Sequence, residues 1–136
     1  MDATILVVDD NPDIVEAVKE IFEAKSPKTK VLSALSGEEA MKLISKRRPD
    51  LVLLDIMMPK MSGWDVAASM KENDKLRNIP IIYLTAKTDK LSMDMGQLSS
   101  EDYIVKPFDS DDLVKRVGEV LAKEGYVKGQ VKLFRM

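Results

Sequence analysis

The sequence contains neither cysteine nor histidine, and these two absences narrow the chemistry that is open to it. Without cysteine, the chain can form no disulfide framework and no thiolate zinc site. Without histidine, it lacks the base of a Ser-His catalytic triad, histidine metal ligands and the commonest general base. We therefore expect any metal site in this protein to use oxygen ligands.

Basic residues are not in excess. The chain has 21 Lys and Arg against 23 Asp and Glu, a net charge of −2 and a pI of about 5.3. Proteins that bind nucleic acid usually carry a basic patch or stripe, so we expect no direct contact with nucleic acid.

Long apolar runs are also missing. The longest extend over only a few residues, far fewer than the ~20 that a membrane-spanning helix needs, so we expect no membrane insertion. The N-terminal residues Met1–Thr4 include an acid and no basic region, which argues against a signal peptide. By default, these features predict a cytoplasmic protein.

The length of 136 residues fits one domain. With 45% apolar and 32% charged residues, the composition is typical of a globular protein. We predict a domain over residues 1–123 and a C-terminal tail over residues 124–136, for which a frayed, flexible terminus is the simplest interpretation.

Short apolar runs alternate with segments of helical periodicity along the domain. The first run, Thr4–Val8, is typical of a strand that is buried on both faces of a parallel sheet. Ser36 and Glu39 predict a capping box at the start of the second helix. The alternation predicts an α/β fold, a five-stranded parallel sheet with helices on both faces. The other strands are predicted at residues 30–33, 51–54, 81–84 and 103–105, and a weaker fourth helix near residues 90–98.

Chemically reactive side chains follow four of the five predicted strands. Asp9 and Asp10 follow the first, Asp55 the third, Thr85 the fourth and Lys106 the fifth. Because open parallel sheets bind ligands at the carboxyl ends of their strands, we expect these side chains to lie together. Each alone is weak evidence, since turn-forming residues such as Asp commonly follow strands, but the set indicates a functional site.

The three carboxylates of this set predict a cation site. Two like charges about 4 Å apart repel by roughly 4 kcal/mol at a surface-like dielectric, so the cluster either raises a pKa or binds a cation. Oxygen ligands favour a hard ion, Mg²⁺ or Mn²⁺. A carboxylate beside such an ion can attack phosphorus and form an aspartyl phosphate, while Lys106 and Thr85 can bind phosphoryl oxygens. The simpler alternative is that Lys106 forms a salt bridge with the acids and nothing binds.

The sequence around these residues resembles the receiver domain of two-component response regulators, in the CheY-like superfamily. The likeness covers about residues 3–123, and its motifs fall in the order and at the spacing of that family. The resemblance implies a flavodoxin-like, doubly wound fold with strand order 2-1-3-4-5. The matching motifs are Ile5–Asp10, Pro49–Gly63, Pro80–Ala86 and Asp102–Phe108.

The resemblance also implies a role for each matching acid. Asp55 resembles the phosphoacceptor. Asp10 and Asp55 resemble direct ligands of Mg²⁺, with Asp9 acting partly through water, and the backbone carbonyl of Met57 resembles a further ligand.

Three other residues resemble those that bind and sense the phosphoryl group. Thr85 and Lys106 match the residues that bind it, and Tyr103 matches the aromatic switch that turns inward when the threonine moves. The Lys106–Pro107 peptide is expected to be cis. Phosphorylation is then expected to alter the surface formed by the fourth helix, the fifth strand and the fifth helix.

By the same resemblance, the chain is a phosphoacceptor rather than an enzyme, with only self-phosphorylation from small donors and slow self-dephosphorylation. A sensor histidine kinase or a phosphotransfer protein is the expected donor, and an unknown protein receives the signal. The chain is expected to be a monomer or a phosphorylation-dependent dimer. The 13 residues after residue 123 are too few for a DNA-binding effector domain, so output comes from the receiver itself or from a domain outside this sequence.

Two other functions are compatible with an aspartate cluster. A Mg²⁺-dependent phosphatase like those of the haloacid-dehalogenase superfamily also forms an aspartyl phosphate, but it carries Asp-x-Asp on its first strand, whereas Asp9 and Asp10 are adjacent. An interaction module that is no longer phosphorylated would not need the complete set of acids.

The sequence departs from the family pattern before the fifth strand, where Ser99–Ser100 stands in place of the usual Gly-Ala. Two further positions bear on the lifetime of the phosphorylated state. Met57 and Lys87 each follow a site residue by two positions, and the resemblance puts both near the path of the hydrolytic water. Because neither can activate that water, we expect slow hydrolysis; the alternative is that they have no kinetic effect.

Overall fold

The structure, a computed structural model, describes residues 2–86 and 103–123. The predicted helix near residues 90–98, Lys87, Ser99–Ser100 and the predicted tail lie outside the described residues. The described elements, in chain order, are β1 (Thr4–Val8), α1 (Pro12–Lys25), β2 (Lys30–Ala34), α2 (Gly37–Lys46), β3 (Leu51–Asp55), α3 (Gly63–Lys71), β4 (Ile81–Ala86), β5 (Tyr103–Lys106) and α4 (Ser110–Lys123). Helix α4 is the fifth helix of the sequence prediction.

The five strands form one parallel sheet in the order β2-β1-β3-β4-β5, which confirms the predicted fold class and strand order. All five residues of the central strand β3 are buried. Register pairs Val8 with Leu54 and Asp55 with Leu84, so the carboxyl ends of β1, β3 and β4 meet at one edge of the sheet.

Each face of the sheet is covered by two described helices and has its own core. Odd-numbered residues of β1 and β3 pack with α1 and α4, and even-numbered residues pack with α2 and α3, as expected from the alternation of side chains along a strand. Fully burying a Leu, Ile or Phe side chain contributes about 1.5–3 kcal/mol. The largest such side chains are Ile5, Leu51, Leu53, Ile82, Leu84, Ile104 and Phe22 on the first face, and Leu6, Leu54, Ile56, Ile44 and Met70 on the second.

Serine side chains cap the first turns of α2 and α3. The Ser36 hydroxyl accepts the Glu39 N–H (3.1 Å), as predicted, but the Glu39 carboxylate accepts the N–H of Leu35 rather than that of Ser36 (2.9 Å). A complete capping box occurs instead at the start of α3, where Ser62 and Asp65 each accept the other's N–H (3.2 and 2.9 Å). The sequence analysis did not identify this capping box, which lies at the start of α3, the helix that follows β3.

The Lys106–Pro107 peptide is cis, as expected from the resemblance. The Asp109 carboxylate then accepts the N–H of Asp112 (3.0 Å) and caps α4. Among the described residues, none of the helices combines the length and the apolar character needed to cross a membrane.

Candidate functional site

The structure brings the predicted site residues together at the carboxyl edge of the sheet. Asp9 and Asp10 follow β1, Asp55 is the last residue of β3, Thr85 lies near the end of β4 and Lys106 ends β5. Asp9, Asp55 and Thr85 are only 1%, 4% and 1% exposed, whereas Asp10 is exposed. The site is therefore a group of buried polar side chains with one acid at its mouth.

Lys106 bridges the two buried acids. Its ammonium Nζ lies 3.0 Å from Asp9 Oδ2 and 3.4 Å from Asp55 Oδ1. The salt bridge that the simpler alternative required is thus present. It places a cation 3.4 Å from a carboxylate oxygen of Asp55, where it could neutralise negative charge on a bound group.

The two oxygens of Asp9 are both engaged. Oδ1 accepts the backbone N–H of Asn11 (3.0 Å), and Oδ2 accepts from Lys106. A carboxylate held in this way has less freedom to bind a cation directly than the exposed Asp10 or the end of Asp55. This geometry agrees with a shell in which Asp10 and Asp55 are direct ligands and Asp9 acts partly through water.

Burial and the neighbouring charges change the pKa values of Asp55 and Lys106. Burial and, to a lesser extent, the negative charge of Asp9 raise the pKa of Asp55 to about 6, although the ammonium of Lys106 opposes both. Burial lowers the pKa of Lys106, but its hydrogen bonds and attraction to Asp9 and Asp55 outweigh burial and raise it overall. Lys106 therefore stays charged, while ionised Asp55 remains short of compensating positive charge.

A divalent cation fits this deficit. Asp9, Asp10 and Asp55 each offer a carboxylate oxygen, and these oxygens lie within 4.8 Å of one another. An oxygen-only donor set suits Mg²⁺, which is commonly held by one or two carboxylates together with waters and phosphate oxygens. Within residues 2–86 and 103–123, no hydrogen bond to the carbonyl of Met57 is found, so that oxygen stays a candidate fourth ligand. When bound, the ion would neutralise charge on phosphoryl oxygens.

Helix α3 approaches the end of β3 closely at Gly63. A Cβ atom at this position would lie 2.3 Å from the Asp55 carbonyl oxygen, and the Gly63 N–H donates to the Ile56 carbonyl (2.9 Å). In the sequence analysis, Gly63 is only the last residue of a matching motif. Its contact with the Asp55 backbone is the feature of the site that sequence analysis missed, because the sequence does not give the distance between two elements.

The remaining predicted residues surround this centre. The Thr85 hydroxyl donates a long bond of 3.4 Å to the Ala86 carbonyl, so it is available for a stronger acceptor. Tyr103 is half-buried and packs against the core on the α2–α3 face. The Met57 side chain is 57% exposed beside the site.

Comparison with known proteins gives concordant results. The sequence model of the family described as the response regulator receiver domain matches residues 5–118. The chain is similar to the response regulator SaeR of Staphylococcus epidermidis, with 42% identity over 120 residues that cover 88% of this chain and 50% of the relative. It is also similar to the DNA-binding response regulator MtrA of Mycolicibacterium smegmatis, with 39% identity over 114 residues, 83% of this chain and 48% of the relative. The chain spans about half the length of these curated relatives.

Two solved structures are similar to this chain over nearly their whole length. A CheY-like response regulator receiver domain protein from Methanospirillum hungatei is 32% identical with a TM-score of 0.75, covering 91% of this chain and 98% of that one. The chemotaxis protein CheY4 of Vibrio cholerae is 28% identical with a TM-score of 0.76, covering 89% of this chain and 100% of that one.

Proposed function

Because this chain belongs to the response regulator receiver domain family of two-component signalling, we propose that it accepts a phosphoryl group on Asp55 with the help of Mg²⁺. Asp10 and Asp55 hold the ion directly, Asp9 acts partly through water, and the Met57 carbonyl completes the protein ligands. Mn²⁺ can take the place of Mg²⁺. Lys106 and Thr85 bind the phosphoryl oxygens.

The observation that carries the proposal is the environment of the Asp55 carboxylate. It is buried, it lies 3.4 Å from the Lys106 ammonium, and one of its oxygens lies within 4.8 Å of carboxylate oxygens of Asp9 and Asp10, with which it could hold a cation. The pKa of about 6 leaves Asp55 mostly ionised at neutral pH and therefore able to attack phosphorus. The carboxylate, a fixed cation and a hydroxyl donor supply the nucleophile and the charge neutralisation that phosphoryl transfer needs.

The proposed role is signalling rather than turnover of a substrate. A sensor histidine kinase or a phosphotransfer protein donates the phosphoryl group. The surface of β5 and α4, together with the predicted helix that lies outside the described residues, passes the signal to a downstream protein. Thr85 and Tyr103 form the switch. One curated relative is named as DNA-binding, but this chain covers about half of it, so absence of direct nucleic-acid contact stays a prediction. A cytoplasmic location, the 1–123 domain boundary and the monomer or phosphorylation-dependent dimer also stay predictions.

The experiment is incubation with acetyl phosphate, with and without Mg²⁺, followed by intact mass measurement. We expect the parent to gain one phosphoryl group only with Mg²⁺, and Asp55→Asn to gain none, because an amide is not a nucleophile for phosphoryl transfer. Asp13→Asn is the matched control, since Asp13 is an exposed acid in the first turn of α1 outside the cluster, and it should be labelled like the parent.

Unchanged labelling of Asp55→Asn would contradict the assignment of the acceptor. Continuous release of phosphate from a generic phosphomonoester by the parent would favour the phosphatase alternative. A parent that takes no label under any of these conditions would favour the interaction module.

A further inference from the structure

Three aromatic residues lie next to one another on the face of the sheet that α2 and α3 cover. Trp64, in the first turn of α3, and Tyr83, in β4, have ring centroids 4.7 Å apart and planes tilted by 49°. Tyr103 in β5 is the register partner of Tyr83, and such partners are about 4.8 Å apart in the direction across the strands. Trp64 and Tyr103 both pack against the buried cluster that contains Tyr83. We call Tyr103, Tyr83 and Trp64 the aromatic row.

One member of the aromatic row, Tyr83, lies in the same strand as Thr85, whose hydroxyl is proposed to bind the phosphoryl group. Tyr83 precedes Thr85 by two residues in β4, so the two side chains leave the strand on the same face. Thr85 is buried, and the bond that its hydroxyl makes to the Ala86 carbonyl is long, at 3.4 Å. A phosphoryl oxygen on Asp55 would be a charged acceptor, and hydrogen bonds to charged groups are roughly twice as strong as neutral ones. Phosphorylation therefore favours movement of the Thr85 hydroxyl toward Asp55, which changes the side-chain arrangement next to Tyr83 on this face of the sheet.

Tyr83 is well suited to pass such a movement on. It is 6% exposed, and close-packed interiors have few voids, so a displaced side chain shifts its neighbours. Tyr83 pairs with Tyr103 in the neighbouring strand, and its ring packs against the ring of Trp64. A change at Thr85 can thus reach the adjacent strand and α3 through the same ring.

We propose that the aromatic row transmits occupancy of the phosphoryl site from Thr85 through Tyr83 to Trp64, so that α3 changes its packing on phosphorylation. This inference rests on the proposed function and extends it. Helix α3 becomes a second responsive surface, besides the one that includes β5 and α4. Tyr83 is the residue that connects the site to α3.

The test uses Trp64, the single tryptophan of the chain, as its reporter. Its fluorescence is recorded in the full chain with Mg²⁺ alone and then with Mg²⁺ and beryllofluoride, a phosphoryl analogue. Labelling by acetyl phosphate is measured in parallel by intact mass. We expect beryllofluoride to change the emission of the parent and of Tyr83→Phe, which keeps the ring, and we expect this change to be lost in Tyr83→Leu.

Ile82→Val is the matched control, because Ile82 is a fully buried neighbour in β4 on the opposite face of the sheet. It should keep the emission change. If Tyr83→Leu does not fold, Tyr83→Met, which retains more of the volume, takes its place in the same comparison.

Several outcomes would overturn the inference. Gly63 gives α3 a direct contact with the Asp55 backbone, so an emission change that survives in Tyr83→Leu would assign the response to that contact. A parent that is labelled yet shows no emission change would refute the aromatic row while leaving the proposed function intact, and so would loss of the change in Ile82→Val. A parent that takes no label would refute the proposed function and this inference together.

Discussion

At the scale of single residues, the surroundings of Asp55 disfavour the charged form of its carboxyl group. Burial and the charge of Asp9 raise its pKa from 3.8 to about 6 despite the nearby ammonium of Lys106. The folded protein therefore holds the proton of Asp55 more tightly than the unfolded chain does. Above the unfolded pKa this difference opposes folding, because the native state must ionise a group that its surroundings prefer neutral.

Asp55→Asn should consequently stabilise the protein when no divalent cation is present. The amide resembles the neutral acid, so the gain should be near zero at pH 4, grow as the pH rises toward 6 and then level off. A pKa difference of this size corresponds to about 3 kcal/mol, and we expect a gain on the order of 1–3 kcal/mol at pH 7.5.

Urea unfolding of the parent and the variant at several pH values measures this difference. Asp13→Asn should show no comparable growth between pH 4 and 6. A variant that is less stable than the parent at pH 7.5 would contradict the charge balance described for the site.

Met57 provides a second prediction at this scale, on the lifetime of the phosphorylated state. Its side chain is 57% exposed two residues after Asp55, and a thioether is only a weak acceptor, so it cannot orient a hydrolytic water. Met57→Asn introduces a donor and an acceptor and should speed loss of the phosphoryl group several-fold.

The decay is followed by intact mass after removal of the phosphodonor. Leu35→Asn is the control, because Leu35 is also an exposed apolar residue, 45% accessible, in the loop that follows β2. Equal decay in the parent and Met57→Asn would leave Met57 without a kinetic role. Lys87, the other residue of this hypothesis, lies outside the described residues.

At the scale of elements, α3 is tied to the end of β3 by the absence of a side chain at Gly63. Gly63→Ala would put a methyl group 2.3 Å from the Asp55 carbonyl oxygen. The nearest atoms all belong to the backbone of Asp55 and Ile56, which cannot move aside as a flexible side chain could. We expect a loss of about 1–3 kcal/mol or more in unfolding free energy, as for overpacked sites, together with slower labelling of Asp55.

Thermal or urea unfolding measures the loss. Gly118→Ala, inside α4, is the control, since replacing glycine with alanine within a helix ordinarily stabilises it by about 0.5–1 kcal/mol. Similar stability changes for the two variants would show that the approach of α3 to β3 is looser than the structure indicates.

The elements also show how far sequence patterns reach. Buried parallel strands have to be apolar, so the five runs located the strands, but β2 extends to Ala34 and β4 to Ala86, beyond the apolar segments that predicted them. In β4, strand pairing continues to Thr85, a residue of the site, and to Ala86, which pairs with Lys106. The partner of Glu39 was predicted wrongly because two backbone N–H groups lie within reach of its carboxylate, and only the path of the loop decides between them.

At the scale of the whole molecule, the order of the strands determines which side chains meet. Asp9, Asp55, Thr85 and Lys106 are far apart in sequence, yet four neighbouring strands that end at one edge bring them together. The parallel sheet and the residues that meet at its carboxyl edge could be predicted from the sequence. A salt bridge between Lys106 and the acids was one of the predicted alternatives. Its simultaneous contact with Asp9 and Asp55, and the aromatic row, could not be predicted, because they depend on side-chain packing across elements.

The chain spans about half the length of the curated relatives it matches, so the account concerns the receiver unit. Within it, the central claim is that one residue, Asp55, receives the phosphoryl group. The charges, the metal ligands and the aromatic row are all interpreted around that residue.

Localisation of the phosphoryl group tests this claim most directly. The parent is labelled with acetyl phosphate and Mg²⁺, digested, and fragmented in a mass spectrometer under conditions that preserve the acyl phosphate. The account predicts that every fragment that carries the added mass contains Asp55 and that fragments ending before Asp55 do not carry it. Added mass on Asp9, Asp10 or any other residue, with Asp55 unmodified, would contradict it.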